Sequence, residues 1–292
     1  MLVSVLITCH NRVATTLSCC KALRKSVLCA SNESDGLWFG DLRVVVFLVD
    51  DGSNDGTGEV VRCWFDSVAD QKFSGHVIDA DGSLYWSKGM ALAWRTAIKY
   101  EAKRSEKFDF FLWLNDDVIF EPDGFFSLLN DYKIVNNSSQ EVVCGACGIV
   151  RNDIWSMTYG ALDASYEKIV PNGAPIRTEG WFTGNVLLVP RKTYEIIGMI
   201  SDEYTHAYGD NDYAMRLKRS GIPFFASSKY VGICEYGAVN KIKEWPLNKR
   251  LPLLIEPSMW NLRDIWVFQM KFYNIFRAIL HSVHKIYVVF KG

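Results

Sequence analysis

The chain has 292 residues, and its 32 basic and 33 acidic side chains leave a formal net charge of −1. A nucleic-acid partner requires a dominant cationic face, so this balance excludes DNA and RNA as expected partners. Apolar residues make up 49% and charged residues 22% of the chain, which excludes a disordered or fibrous protein. We expect one large α/β domain with a small appendage.

The first residues and the cysteines favour a cytoplasmic protein. The apolar run at 1–7 has no basic leader and ends at polar residues, unlike a secretory signal peptide. The eight cysteines are scattered over a full-sized domain, which predicts reduced thiols. Cys144 and Cys147 form a C-x-x-C pair inside an apolar, strand-like run, and we interpret the pair as part of the core.

Apolar runs and helical spacings alternate along the first half of the chain. Strands are predicted at 3–8, 44–49, 76–79 and 110–114, and helices at 15–28, 57–68 and 88–102. The continuous apolar run at 44–49 is typical of a parallel strand buried on both faces. This alternation predicts a doubly wound α/β sheet.

The second half is less regular and predicts a mixed sheet. Strands are predicted at 142–150, 155–159 and 186–189, and helices at 191–197 and 212–220. Prolines at 246, 252 and 257 interrupt the chain before an aromatic and basic helical pattern. The predicted units are a domain at 1–240, with halves at 1–120 and 121–240, and a linker with a helical tail at 241–292.

Carboxylates follow the predicted strands at the edge of the sheet where ligands bind in open α/β folds. Asp51 follows one strand, and Asn115, Asp116 and Asp117 follow another. Mg²⁺ and Mn²⁺ prefer oxygen ligands and complete their shells with water and phosphate, so the second cluster is a candidate metal site. Turn or capping roles are the alternative interpretation of each carboxylate.

Five segments in this order resemble the family 2 glycosyltransferases with the A-type fold. They are Ser-Val-Leu-Ile-Thr-Cys-His-Asn-Arg at 4–12, Leu-Val-Asp-Asp-Gly-Ser-Asn-Asp-Gly-Thr at 48–57, Leu-Trp-Leu-Asn-Asp-Asp-Val at 112–118, Thr-Gly-Asn at 183–185 and Gly-Asp-Asn-Asp-Tyr-Ala-Met-Arg-Leu at 209–217. The resemblance covers residues 2–234 and is strongest to bacterial transferases, including rhamnosyltransferase-like members, that build O-antigen or capsule.

The resemblance implies a binding site for a nucleoside diphosphate sugar and a divalent cation. Asp51 takes the position that hydrogen-bonds the base, and Asp116 the position that faces the ribose. Asn115 and Asp117 match the ends of the D-x-D metal motif, which leaves Asp117 as the principal ligand of Mg or Mn. The other positions implied to approach the donor are Thr8, His10, Asn11, Asp81 and Lys88.

The resemblance also implies that 1–240 is a catalytic domain, with a nucleotide-binding half at 1–120 and an acceptor-binding half at 121–240 that holds an acceptor site and a catalytic base. Gly184 and Asn185 belong to the acceptor segment. Asp210 is the first candidate for the base and Asp212 the second, although Gly209 stands where the family often has Glu. We interpret the nearby His206 as a structural histidine.

The function implied is inverting, metal-dependent transfer of a sugar from a uridine or thymidine diphosphate donor to an acceptor hydroxyl in surface polysaccharide synthesis. A sugar nucleotidylyltransferase is one alternative, but residues 8–12 do not form the Gly-rich phosphate loop expected of it. A non-catalytic saccharide-binding protein is the other, because Asn115 and Gly209 depart from the family pattern.

The tail has the pattern of one amphipathic helix. Its apolar residues recur at three- and four-residue steps and are Ile265, Phe268, Phe272, Phe276, Ile279, Val283, Ile286 and Phe290. Basic residues interrupt every window long enough to cross a bilayer, which favours an interfacial helix on the anionic inner leaflet, where a lipid-linked acceptor would lie. Packing on the catalytic domain, or on a second subunit of a homo-oligomer, is the alternative.

Overall fold

A computed structural model describes residues 1–32, 41–236 and 245–291. The first half alternates strands and helices in the predicted order. Its elements are β1 (Leu2–Cys9), α1 (Val13–Asn32), β2 (Arg43–Asp50), α2 (Thr57–Val68), β3 (Phe73–Asp79), α3 (Tyr85–Glu101) and β4 (Phe110–Leu114). The predicted bounds of α2 and β4 agree with the structure, and the other bounds differ by a few residues.

These four strands pair in parallel in the order β3, β2, β1, β4. Successive side chains of a strand point to opposite faces. In β2, Val44 and Val46 pack on one face with α1 and α2, whereas Val45 and Phe47 pack on the other with α3. Because helices cover both faces, the strand is apolar at consecutive positions, as the sequence pattern indicates.

The second half completes the sheet with antiparallel and parallel pairs. Its elements are β5 (Ile119–Phe120), α4 (Gly124–Val135), β6 (Val142–Arg151), β7 (Ile154–Tyr159), β8 (Ala161–Leu162), β9 (Ile176–Thr178), β10 (Trp181–Phe182), β11 (Val186–Pro190), α5 (Arg191–Ile197), α6 (Gly209–Arg219) and β12 (Phe224–Ile233). Strand β11 pairs antiparallel with β4, and the sheet continues through β6, β12 and β5. The predicted doubly wound mixed sheet is confirmed.

Strand β12 lies inside the sheet, although the sequence pattern does not predict it. Ser227 and Ser228 interrupt its apolar residues, and both are buried. The backbone N–H of Ala146 donates to Ser227 Oγ at 2.8 Å, and the backbone N–H of Ser228 donates to Asp131 at 2.8 Å. The register shifts at this point, as in a β-bulge, so side chains replace part of the backbone ladder.

The cysteines are free thiols, as predicted. Cys144 and Cys147 are buried in β6, and burial raises the pKa of both thiols. This pair is therefore a core feature of a strand.

The C-terminal helical appendage is confirmed, but the prediction of one continuous helix is wrong. The segment contains α7 (Leu247–Arg250), a 3-10 helix (Leu251–Leu254), α8 (Leu262–Phe272) and α9 (Ile275–Lys291). The last two helices are separated at Tyr273 and Asn274, where Tyr273 leaves helical geometry at φ −132° and ψ −116°. No helix of the described ranges has both the length and the apolar character to span a bilayer.

Helix α8 packs on the catalytic sheet, whereas α9 leaves much of its apolar surface exposed. Phe268 and Phe272 belong to the same buried cluster as side chains of α3 and α6. The buried carboxylate of Asp264 accepts a hydrogen bond from the backbone N–H of Thr205 at 3.0 Å. The core thus includes a helix beyond the predicted domain boundary at residue 240, which itself lies outside the described residues.

Candidate active site

A cleft of about 360 Å³ lies at the carboxyl ends of β1, β2 and β4. Parallel pairing brings the loops after these strands together, because their carboxyl ends meet at one edge. The residues that line the cleft are Thr8, Cys9, His10, Arg12, Asp51, Gly82, Tyr85, Trp86, Asn115, Asp116, Asp117 and His206. Most of the residues predicted to approach the donor are therefore gathered in one place.

Asp51 organises the loop that leads into α3. Its buried carboxylate accepts hydrogen bonds from the backbone N–H groups of Gly82 at 3.0 Å, Leu84 at 3.1 Å and Tyr85 at 2.7 Å. At Gly52, φ is +70° and an added Cβ would lie 2.6 Å from the backbone nitrogen of Gly82, so only glycine allows this approach. The carboxylate shapes the wall of the cleft through backbone contacts, and its contact with a base stays a prediction.

Arg12 bridges the two carboxylates that follow β4, and sequence reasoning missed it. Its Nη1 lies 2.8 Å from Asp116 Oδ1, and its Nη2 lies 3.0 Å from Asp117 Oδ2. The second oxygen of Asp116 accepts a hydrogen bond from Thr16 Oγ1 at 3.0 Å. Burial raises the pKa of Asp116 to about 6, and the charge of Arg12 opposes that rise. Asp116 thus holds Arg12 in the cleft.

Asp117 is the carboxylate of this motif best placed for a cation. Its side chain is 30% exposed and lines the cleft, whereas Asn115 Oδ1 accepts a hydrogen bond from Trp86 Nε1 at 2.8 Å. Mg²⁺ and Mn²⁺ accept one protein carboxylate with water and diphosphate oxygens, so the donor set fits such an ion. Within the described residues, no cluster of three or more His, Cys, Asp or Glu side chains has metal-site geometry.

Asp210 lies at the start of α6, next to the segment after β10. Its Oδ2 accepts a hydrogen bond from the backbone N–H of Gly184 at 3.3 Å, and its Oδ1 accepts one from Asn211 at 2.8 Å. A Cβ at Gly184 would lie 2.4 Å from the ring of Trp86, so glycine lets this ring approach the carboxylate. Burial raises the pKa of Asp210, which suits a group that must accept a proton.

Asp212, the second candidate for the base, is fully buried in an ionic network. Its Oδ1 lies 2.6 Å from Arg216 Nε, and its Oδ2 lies 2.8 Å from Lys271 Nζ and 3.0 Å from the hydroxyl of Tyr204. These contacts join α6 to α8. The geometry favours Asp210 over Asp212 as a group that meets substrate.

The remaining predicted residues lie around the cleft. His10 Nδ1 donates to the backbone oxygen of Asp51 at 2.6 Å, and Asn11 Nδ2 lies 2.9 Å from His10 Nε2. Asp81 is exposed and accepts a hydrogen bond from Ser83 Oγ at 2.6 Å. Several predicted site residues are not among the residues that line the cleft, and they are Asn11, Asp81, Lys88, Gly184, Asn185, Asp210 and Asp212. Asn185 is buried.

Aromatic side chains line the cleft, and sequence reasoning missed Tyr85 and Trp86 and interpreted His206 as structural. Trp86 contacts both sides of the site, because its Nε1 donates to Asn115 and its ring packs against Gly184. Tyr85 has φ +55°, and its ring lies edge-on to His206 at 6.4 Å. A positive φ at a residue other than glycine is strained, which marks this turn as one that the surrounding contacts hold in place.

The strand order, the cleft at the carboxyl ends and the motif after β4 define the A-type glycosyltransferase fold. A sequence profile of glycosyl transferase family 2 matches residues 4–160, more than half of the chain, so this chain belongs to that family. No curated protein sequence matches it significantly.

Solved glycosyltransferase structures share the fold at low identity. A mannosyltransferase, PcManGT from Pyrobaculum calidifontis, solved with GDP-Man and Mn²⁺, is 14% identical with a TM-score of 0.55, over 98% of this chain and 69% of that one. S. aureus TarS in complex with UDP-GlcNAc is 13% identical with a TM-score of 0.52, over 94% and 74%. GalNAc-T7 with UDP, GalNAc and Mn²⁺ is 12% identical with a TM-score of 0.60, over 92% and 48%.

Proposed function

We propose that this family member transfers a sugar, with inversion, from a uridine or thymidine diphosphate donor to an acceptor hydroxyl during synthesis of a bacterial surface polysaccharide such as O-antigen or capsule. The observation that carries the proposal is that residues next to Asp210 line two concave surfaces, although Asp210 itself is not among the lining residues of either. One is the donor cleft described above. The other is a second groove of about 650 Å³, formed by α6, α8 and α9, which we call the α9 groove.

The residues that flank Asp210 belong to these two surfaces. The ring of Trp86 packs against Gly184 beside the Asp210 carboxylate, and Trp86 lines the donor cleft. Tyr208 and Asn211, one on either side of Asp210 in sequence, line the α9 groove. The proposal requires this carboxylate to reach an acceptor in the groove and to face the sugar of a donor in the cleft, because direct displacement needs both.

The proposed reaction forms one bond and breaks one. Asp210 takes the proton of the acceptor hydroxyl while the oxygen attacks the anomeric carbon, and the bond to the diphosphate breaks on the opposite face. Arg12 in the cleft supplies positive charge for the diphosphate. A divalent cation at Asp117, Mg or Mn, neutralises the leaving diphosphate when bound, and the Mn²⁺ in two of the similar structures supports this assignment.

The proposal predicts donor binding that depends on the nucleoside diphosphate. In a thermal-shift screen with Mn²⁺, a uridine or thymidine diphosphate sugar at a hundred times its Kd should stabilise the chain by about 2.7 kcal/mol, or raise Tm by roughly 5 °C or more. The matched free sugars should leave Tm unchanged. A Tm that rises with a free saccharide, and with no nucleotide sugar, would contradict the proposal and support a non-catalytic saccharide-binding protein.

We further propose a cytoplasmic protein whose α9 binds the anionic inner face of the membrane. Apolar side chains of α9 are exposed in the part of the chain that the structure describes, and they include Ile275, Phe276, Leu280, Val283, Tyr287 and Phe290. The helix contains Arg277, Lys285 and Lys291 and no acidic residue. An apolar face bordered by cations complements an anionic leaflet, which favours a membrane over a second copy of this chain.

Charge placed on this face should remove the chain from vesicles. Phe276 is 74% and Val283 58% exposed, so Phe276→Glu with Val283→Glu leaves the core intact. Loss of two apolar contacts should weaken binding to anionic vesicles at low salt by at least about tenfold in a flotation assay. Ile154→Glu, at a 71% exposed residue on β7, is the matched control.

The same assay can reject membrane binding. The proposal is wrong if the parent chain does not float with anionic vesicles, or if the double variant floats as well as Ile154→Glu. Truncation before Ser258 is unsuitable as the test, because it removes α8 and the buried side chains of Phe268 and Phe272.

A further inference from the structure

Among the residues that the structure describes, the lining of the α9 groove combines cations with aromatic rings and includes no carboxylate. Its lining residues are Tyr166, Trp181, Ala207, Tyr208, Asn211, Met259, Phe268, Gln269, Tyr273, Arg277, Leu280, His281, His284 and Lys285. A groove whose described lining residues are basic but not acidic attracts anions. The feature is local, because the whole chain is almost neutral.

Aromatic rings contact the arginine and the lysine of the groove, and an amide contacts one of its histidines. Arg277 lies over the ring of Tyr273 at 4.4 Å, and Lys285 Nζ lies 4.3 Å from the ring centre of Trp260. His281 Nδ1 lies 2.9 Å from Gln269 Nε2. Across the described ranges, neither Arg277 nor Lys285 has a carboxylate within ion-pair distance, so an anionic ligand would be their first ionic partner.

Partial burial removes water from Lys285 and His281, whereas Arg277 is exposed. Loss of water lowers the pKa of Lys285, and it also lowers the pKa of His281. Both directions show that the charged forms are disfavoured in the protein alone. A phosphate in the groove would reverse this cost by supplying the opposite charge.

An aromatic surface lies at the other side of the groove. The rings of Tyr166 and Trp181 stack with centroids 5.6 Å apart and planes 11° apart. Tyr166 is 63% exposed, so it presents a free face. Flat aromatic faces contact the apolar face of a sugar ring, with polar groups at the edge for its hydroxyls.

We infer that the α9 groove binds an acceptor in which a saccharide is linked to a phosphate or diphosphate, with Arg277, His284 and Lys285 on the phosphates and the free face of Tyr166, which Trp181 supports from behind, against the sugar. This inference rests on the proposed function, since it assigns the acceptor class to the groove beside Asp210. A saccharide held there presents its hydroxyls toward the base. A phosphate linked to lipid would lie beside the exposed apolar face of α9.

The test compares the binding of three probes to the full chain by calorimetry, with saturating UDP and Mn²⁺ in the donor cleft. The probes are N-acetylglucosamine joined through a diphosphate to a short alkyl chain, the uncharged alkyl glycoside of the same sugar, and inorganic pyrophosphate. The diphosphate glycoside should bind at least about tenfold more tightly than either other probe, the scale of one hydrogen bond to a charged group.

Variants assign this binding to the groove. Arg277→Gln and Lys285→Gln should each weaken the diphosphate glycoside by about tenfold and leave the uncharged glycoside unchanged. Lys291→Gln removes a cation from the same helix outside the groove and should bind like the parent. Because Arg277 is exposed, Arg277→Gln should still fold, and it tests binding in the groove even if Lys285→Gln unfolds.

Three results would overturn the inference. They are equal affinity for the charged and uncharged glycosides, equal affinity for pyrophosphate and the diphosphate glycoside, and parent-like binding by Arg277→Gln. The rise in Tm with nucleotide sugars tests the proposed function separately. A donor shift without binding in the groove rejects the inference alone, whereas binding in the groove without any donor shift rejects the proposed function.

Discussion

Replacing Asp210 with Asn is expected to lower turnover by at least about 100-fold, within the range of general-base catalysis, while the donor still binds. The amide keeps the size of the carboxylate and its place beside Gly184 and Asn211, but it does not accept the acceptor proton. The measurement pairs initial rates of nucleoside diphosphate release, with acceptor present, and donor affinity by calorimetry.

Asp212→Asn is the matched control for this variant. It removes charge from a buried network with Arg216 and Lys271, so it should lower the free energy of unfolding by about 3 kcal/mol or more. Turnover per folded molecule should stay close to that of the parent. Near-normal turnover in Asp210→Asn, or a catalytic loss confined to Asp212→Asn, would remove Asp210 from its proposed role.

The pH dependence of turnover gives a second test of the role of Asp210. A base acts in its ionised form, and burial raises the pKa of this carboxyl. Turnover should therefore fall as the pH drops through this raised pKa, at a higher pH than an exposed Asp with its usual pKa of about 4 would allow. Asp210→Asn should lack this acidic limb. A limb that persists in the variant belongs to another group.

Replacing Asp117 with Ala is expected to abolish the gain in donor affinity that Mn²⁺ or Mg²⁺ gives the parent, and to lower kcat/KM by about 100-fold or more. The reason is that Asn115 is hydrogen-bonded to Trp86 and Asp116 is committed to Arg12 and Thr16. Asp117 also pairs with Arg12, but its side chain is 30% exposed whereas that of Asp116 is 7% exposed. The loss of Asp117 therefore leaves the motif without an accessible carboxylate for the cation.

Asp123→Ala provides the control, because Asp123 is an exposed carboxylate that pairs with Lys229 outside the cleft. Calorimetry of UDP binding with and without Mn²⁺ should show the metal effect in the parent and in this control but not in Asp117→Ala. If the metal effect in Asp117→Ala equals that of the parent, the cation is held elsewhere and the assignment is wrong.

The parallel half of the fold was predictable because its information is local. The apolar run of β2 and the carboxylate that ends it are adjacent in sequence, and parallel pairing alone places Asp51 near Asp117. Buried polar strands lack such a signal. In β12, Ser227 and Ser228 are satisfied by residues about 80 to 100 positions away, so no local pattern shows that the segment is a strand.

The side-chain contacts within the site were not predictable, because they join residues that are far apart in the sequence. Arg12 and Asp116 are 104 residues apart in sequence, and only the fold shows that they form an ion pair. Helices α8 and α9 share one apolar periodicity, yet Phe268 is buried and Phe276 is exposed. Periodicity identifies the apolar face of a helix, but it does not say whether protein or another surface covers that face.

The anomeric configuration of the first product tests the central claim most directly. Proton NMR would follow the reaction of a uridine or thymidine diphosphate sugar whose donor bond is α-linked. The donor is incubated with Mn²⁺, an acceptor and either the parent chain or the Asp210→Asn variant. The parent should form a β-linked product from the earliest spectra, and the variant should form almost none. An α-linked first product, or equal product from the variant, would show that the chain does not transfer the sugar by inversion with Asp210 as the base.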